Sequence, residues 1–125
     1  DNGINAVLDM RAEREGDRAF YAGHDIAYKR LQVLDATVPS DENLSEGADW
    51  IDEQITAGRT VLVHCAKGRG RSAAVTAAYL MRHEDLPYDE CRAMMKEARP
   101  LVKLEERHRS RLEKWRLSAR QTEQP

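Results

Sequence analysis

The sequence predicts an α/β fold, in which a mostly parallel sheet of four to five strands lies between layers of helices. Two observations predict it. Short apolar runs at residues 4–10, 26–35 and 60–65 have the length and composition of strands, and each is followed by a stretch with helix-start residues or helical spacing. Strands separated by helices pair in parallel, because the chain must cross back over the sheet between them. Size is bounded by a third observation: 125 residues, 41% of them hydrophobic, support a single core and one domain over residues 1–125.

The elements follow in order. INAVLDM, residues 4–10, is short and apolar enough for a buried strand, and RAEREGDRAFYAG after it reads as a loop and a short helix ending near Gly23. IAYKRLQVLD alternates at Ile26, Tyr28, Leu31 and Val33, a strand ending at Asp35. Residues 38–58 read as a loop and a helix, with Ser45 or Asn43 as N-cap, Trp50, Ile51 and Ile55 on the apolar side, and Gly58 as the stop. In TVLVHC, the run Val61, Leu62, Val63 is that of a strand covered on both faces. An Ala-rich helix from Ser72 to His83 comes next. Another runs from near Tyr88 to about Arg99, with Asp85 as a candidate cap, Pro87 preset for a first turn and Pro100 as the stop. A last amphipathic helix, about 103–118, puts Leu104, His108, Leu112 and Trp115 on one face, and 119–125 is a tail.

Composition removes several classes of function. Two cysteines 26 positions apart, with no signal-like N-terminus, make neither a disulfide framework nor a CxxC metal pair, so free thiols and a cytoplasmic setting are expected. The apolar stretch 73–81 is half a bilayer span, so no transmembrane segment is expected. Net charge is only −2, but residues 1–58 carry 13 acids and 5 bases, while residues 96–120 carry 9 bases and 4 acids. Such polarity either steers an anionic partner or is a solvated helix face with its charges paired. No basic stretch is interleaved with aromatics, so nucleic acid is not an expected partner. His24, His83 and His108 have no Cys, Asp or Glu at ligand spacing, and neither metal nor other cofactor is expected. Cys91, near Met94 and Met95, reads as core filler. The expected state is a monomer.

The chemistry concentrates in VLVHCAKGRGRSAAV. Seven residues, CAKGRGR, join the strand ending at His64 to the helix starting near Ser72, and a helix begins with unpaired N–H groups and a positive dipole end. Gly68 and Gly70 permit backbone angles that aim successive N–H groups inward, and Arg71 supplies a fork matched to two oxygens of a phosphate. The expected anion-binding set is Ala66, Lys67, Gly68, Arg69, Gly70 and Arg71. A thiol in such a place, ordinarily titrating near ~8.5, is expected to ionise more readily. Cys65 is thereby set to attack the phosphorus of the anion that the loop holds, and Ser72 to offer its hydroxyl to the sulfur as it departs.

HCAKGRGRS matches the HCX5R[ST] signature of cysteine-based protein tyrosine phosphatases, and the chain resembles their compact dual-specificity branch. VLDMRAE is similar to the branch's early strand and turn, VLDATVPSDENL to its general-acid loop, and KEARPLV to the Arg-Pro end of a late helix, so the likeness covers most of residues 4–102. The resemblance implies the dual-specificity phosphatase fold; the strand that normally precedes INAVLDM has no counterpart after Asp1, so either the sheet is one strand short or the chain is a trimmed piece of a longer one. The resemblance also implies metal-independent hydrolysis of phosphomonoesters through a phosphocysteine, with Cys65 as nucleophile, Arg71 on the phosphate, Asp35 as general acid 30 positions upstream, and His64 holding the loop. Asp41 is the second candidate acid, while Asp85 and Asp89 read as helix-start residues. Asp9 and Arg11 read as fixing a turn near the site. The substrate is a phosphoprotein, carrying phosphotyrosine or phosphoserine/threonine, or an anionic phospholipid or inositol phosphate. Lys67 and Arg69 resemble the basic loops of phosphoinositide and phosphatidylglycerophosphate phosphatases, although those loops tend to carry Lys where this chain has Ala66. A phosphate-binding module without catalysis is the remaining alternative.

Overall fold

The three apolar stretches become three strands. A computed structural model describes residues 3–13, 16–34, 37–65 and 70–123, with side chains to residue 118. It contains β1 (Ala6–Arg11), α1 (Arg18–Gly23), β2 (Ala27–Val33), α2 (Asp41–Thr56), β3 (Val61–His64), α3 (Gly70–His83), α4 (Tyr88–Ala98) and α5 (Glu106–Glu123). The sheet order is β2-β1-β3, and both pairings are parallel. Among the described residues the sheet therefore has three strands, fewer than the expected four to five, because the chain offers three extended apolar stretches and its remaining apolar residues have helical spacing.

Alternation divides each strand between two faces. Leu8 and Met10 of β1, with Leu31 and Val33 of β2, form one core with Ile51 of α2 and Val75 of α3. The opposite face carries Tyr28, whose ring stacks on Tyr21 of α1 with centroids 4.9 Å apart. Helices thus lie on both sides of the sheet, thinly on the α1 side. A second core joins α2, α3, α4 and α5 through Leu44, Ala77, Met81, Cys91, Leu112 and Trp115. Because α3 serves both cores, seven of its residues are buried, and its alanines let neighbouring helices approach closely.

Three local expectations need correction. Ser40, not Ser45 or Asn43, caps α2: its Oγ accepts the Asn43 N–H at 3.1 Å, and Asp41 and Glu42 then complete an acidic first turn. Ser45 lies a turn further in, where its Oγ accepts from Trp115 Nε1 at 2.8 Å and ties α5 to α2. Asp85 is not a cap but a turn residue with φ of 55°, a left-handed conformation that Asp tolerates, and Pro87 is the N-cap of α4. Among the described residues β3 pairs with β1 alone, and Val61, Leu62 and Val63 are half-buried rather than covered on both faces. They line an open cavity of about 800 Å³ with Ser72, Thr76, Met95 and residues 98–102.

The reading of the charged C-terminal part as a paired, solvated face fits the structure. Arg109 pairs with Asp89 and Glu113, Arg111 with Asp41, and Arg107 with Glu105. No described helix is long and apolar enough to cross a membrane.

Candidate active site

Parallel pairing brings the carboxyl ends of β1, β2 and β3 to one edge of the sheet, the edge at which open α/β sheets carry their sites. Four groups meet there: Cys65 just after β3, Ser72 and Arg71 in the first turn of α3, and the residues that follow β1. Cys65 is half-buried, and its Sγ lies 3.2 Å from Ser72 Oγ. α3 begins at Gly70, two residues before the expected start, so Arg71 and Ser72 both belong to its first turn, where N–H groups lack intrahelical partners.

Arg71 is 2% exposed. Its Nη1 donates to Glu13 Oε1 at 2.7 Å and to Val33 O at 2.8 Å, and its Nη2 donates to Glu13 Oε2 at 3.0 Å. These hydrogen bonds hold the Glu13 carboxyl well below its ordinary value, at about 2. Glu13 is a site residue that the sequence reading passed over as part of a polar loop. Its one signal was an acid shortly after a strand that ends beside the cysteine.

The turn carrying Glu13 is built from β1. Asp9, fully buried, accepts the Arg11 N–H at 3.1 Å, Arg11 Nε at 2.8 Å and Nη2 at 2.9 Å, and the Tyr28 hydroxyl at 2.7 Å. Burial pushes the Asp9 carboxyl up, but the hydrogen bonds from Arg11 and Tyr28 outweigh it and hold it low. Arg30 then donates from Nε to Arg11 O at 3.0 Å and from Nη2 to Ala12 O at 2.8 Å. Asp9 and Arg11 accordingly set a turn at the site, a role open to them from the sequence.

The other candidates sort by position. Asp35 and the loop residues Ala66, Lys67, Gly68 and Arg69 lie outside the described residues. Gly70 opens α3, and His64 is half-buried and sits opposite Asp9 in the ladder between β1 and β3. Asp41 is the first residue of α2, 3.6 Å from Arg111, and Asp89 lies in the first turn of α4, 3.3 Å from Arg109. His83, which showed no acid at ligand spacing, is brought to Asp49 at 2.9 Å and Asp52 at 3.6 Å across the helix pair. No group of three metal-type ligands forms among the described residues. Cys91 is fully buried, and burial pushes its thiol up to about 11.

With this geometry in view, the likeness to known proteins is specific. The family model described as dual specificity phosphatase, catalytic domain, matches residues 1–117, and the chain belongs to that family. It is 32% identical over 116 residues to human dual specificity phosphatase 28, a match covering 90% of this chain and 62% of the relative. It is 33% identical over 105 residues to human phosphatidylglycerophosphatase and protein-tyrosine phosphatase 1, covering 77% of this chain and 51% of the relative. The crystal structure of human DUSP28 superposes with a TM-score of 0.80 at 28% identity, over 94% of this chain and 78% of that one. The chain thus spans about 60% of the length of the first curated relatives it matches.

Proposed function

We propose that the chain hydrolyses phosphomonoesters without a metal, through a phosphocysteine on Cys65, and that its substrate is a phosphoprotein carrying phosphotyrosine or phosphoserine/threonine. The observation that supports this most directly is the 3.2 Å approach of Cys65 Sγ to Ser72 Oγ at the N-terminus of α3, next to the buried Arg71. A sulfur at that end of a helix faces N–H groups and a positive dipole, which also attract a phosphoryl group. In the first step Cys65 forms a bond to phosphorus as the ester bond breaks, and Asp35 protonates the departing oxygen. In the second, water deprotonated by Asp35 attacks phosphorus, and the sulfur leaves toward the Ser72 hydroxyl. Arg71 and the N–H groups of residues 66–71 balance the charge on the equatorial oxygens, where a loose phosphoryl transition state carries it. His64 supports the loop from β3.

Hydrolysis of an anionic phospholipid or inositol phosphate is the second reading. It is favoured by the 33% identity to a relative named as a phosphatidylglycerophosphatase and by the basic residues Lys67 and Arg69. A monomer in the cytoplasm is the setting expected for either.

The test is turnover of an aryl phosphate by the wild type and by Cys65→Ser, with and without EDTA. Cys65→Ser should be inactive while still binding inorganic phosphate or vanadate, and EDTA should change nothing. An active Cys65→Ser enzyme, or loss of wild-type activity to the chelator, would sink the mechanism. Asp35→Ala should flatten the alkaline limb of the kcat/KM profile, and a flattening seen in Asp41→Ala instead would move the acid there.

A further inference from the structure

Gly70 opens α3, and the next two residues, Arg71 and Ser72, are the ones this helix gives to the site. Gly70 has no positive φ, so its backbone would accept a side chain. What stands in the way is a residue of α5. A Cβ on Gly70 would meet His108 Nε2 at 3.1 Å and Cε1 at 3.6 Å, then Lys103 O at 3.7 Å.

The ring is held in place. It is fully buried, and its other nitrogen is part of the cap of α5. Glu105 O accepts the His108 N–H at 3.0 Å and the Arg109 N–H at 3.1 Å, and the Glu105 N–H donates in return to His108 Nδ1 at 3.0 Å. This is the reciprocal pairing of a capping box, with an imidazole where Glu or Gln usually stands. Neither of two simpler roles explains the choice of histidine. Space is filled better by Leu, which buries no donor, whereas Nε2 has no hydrogen-bond partner among the described residues, an unfavourable state for a buried N–H. A Gln would serve as the cap, but its flexible side chain would leave the contact with Gly70 loose. An imidazole does both at once: it accepts on one side and, being rigid, presents a fixed edge on the other.

We infer that His108 is a positioning residue of the phosphatase reaction: pinned to the start of α5 at Nδ1, its ring bears on Gly70 and so fixes the first turn of α3, from which Arg71 serves the phosphoryl group and Ser72 the sulfur. The inference rests on the proposed function, and goes beyond it by giving α5 a part in the site.

The experiment is a double-mutant cycle of Gly70→Ala and His108→Ala, with His108→Gln beside it. Each variant is compared with the wild type by aryl phosphate kinetics, by inhibition with vanadate, and by calorimetric binding of inorganic phosphate in a Cys65→Ser background. Thermal unfolding serves as the control for folding. Misplacement of a catalytic group by about 1 Å costs up to about 10²-fold, so each alanine alone should lower kcat about 10- to 100-fold with a small change in KM. Vanadate, which mimics the transition state, should lose more affinity than phosphate. In the double variant the methyl group enters the space the ring has left, and kcat should lie at least about 5-fold above the product of the two single effects. His108→Gln keeps an acceptor for the Glu105 N–H and should recover part of the rate lost in His108→Ala. Should His108→Ala fold poorly, His108→Gln takes its place in the cycle, since a flexible side chain can yield to the methyl group. Single effects that simply multiply would overturn the inference, as would a His108→Gln enzyme as slow as His108→Ala. So would a lowered unfolding temperature with kcat and vanadate affinity unchanged, which is the result of a purely structural contact. A wild type that binds phosphate without turnover would defeat the proposed function while phosphate binding across the cycle still judged His108. A wild type that does neither would overturn both.

Discussion

The imidazole of His108 stands where Gly70 has no side chain: a Cβ on Gly70 would lie 3.1 Å from His108 Nε2. α5 therefore packs against the first residue of α3, the residue before Arg71, and a larger residue there would push against the ring. The ring is fully buried, and its Nδ1 accepts the Glu105 N–H at 3.0 Å, which places the ring hydrogen on Nε2, where it has no hydrogen-bond partner among the described residues. Burial, reinforced by Arg107 and Lys103 and opposed by Glu105, holds this histidine below its ordinary value of 6.5.

Acid should destabilise the fold through that group. The unfolded chain takes up the His108 proton as pH falls through 6.5, and the folded chain takes it up only at lower pH. Between those points the unfolded state holds more protons, so stability falls with pH. His108→Leu should remove this component, and its unfolding temperature should gain on that of the wild type between pH 7.5 and pH 5.5. Parallel curves for the two proteins would show that His108 takes up its proton as readily in the folded chain as in the unfolded one, so that the core does not hold it low.

A packing prediction concerns Gly47, in the middle of α2. A Cβ there would run into Val75 Cγ2 of α3 and come within 3.2 Å of Leu31 Cδ1 of β2. On an exposed helix, replacing Gly with Ala gains about 1 kcal/mol. Here overpacking, typically costing about 1–3 kcal/mol, should cancel or reverse that gain. Glycine at this point lets α2 and α3 close over the sheet. Gly47→Ala should lower the denaturation midpoint, and adding Val75→Ala should recover part of the loss. If the double variant loses the sum of the two single effects, the pair does not collide.

Ser72 should act late in the reaction. Its hydroxyl, 3.2 Å from Cys65 Sγ, matters most when the sulfur leaves phosphorus and recovers its charge. A hydrogen bond to a charged group is worth about 1.5–3 kcal/mol, or about 10- to 150-fold in rate. Ser72→Ala should release the aryl alcohol in a burst of one equivalent and then turn over slowly, because the phosphoenzyme accumulates. Slow steady turnover without a burst would put Ser72 in the first step.

The strands and the placing of Cys65 between β3 and α3 were legible because their signals are local: runs of branched apolar residues, then a cysteine ahead of an Ala-rich stretch. Helix starts were less so, since Ser40, Asn43 and Ser45 offer equivalent capping chemistry in sequence, and only the fold engages Ser45 with Trp115. β3 looked covered on both faces from its apolar run, yet Val61, Leu62 and Val63 are half-buried and line an open cavity together with residues 98–102. Glu13 was invisible for a different reason. Its meaning lies in Arg71, and nothing local records a pairing that only parallel strand order creates.

Substrate class should be readable from Lys67 and Arg69. Arg71 with the loop N–H groups suffices for one phosphoryl group, so two further cations in the loop have work only if a second anionic group arrives with the substrate. Coulomb attraction at about 4 Å and an effective dielectric near 20 is worth up to about 4 kcal/mol before screening, and surface exposure cuts it toward 1 kcal/mol. The proposed phosphoprotein reading needs no such contribution, whereas a phosphoinositide or phosphatidylglycerophosphate would collect it. Lys67→Ala and Arg69→Ala should therefore be compared on a small aryl phosphate, a phosphotyrosine peptide and a phosphoinositide, at low and at physiological salt. Losses in kcat/KM of similar size on all three would support the phosphoprotein reading. A loss at least ten times larger on the phosphoinositide, shrinking as salt screens the added charges, would favour the lipid reading instead.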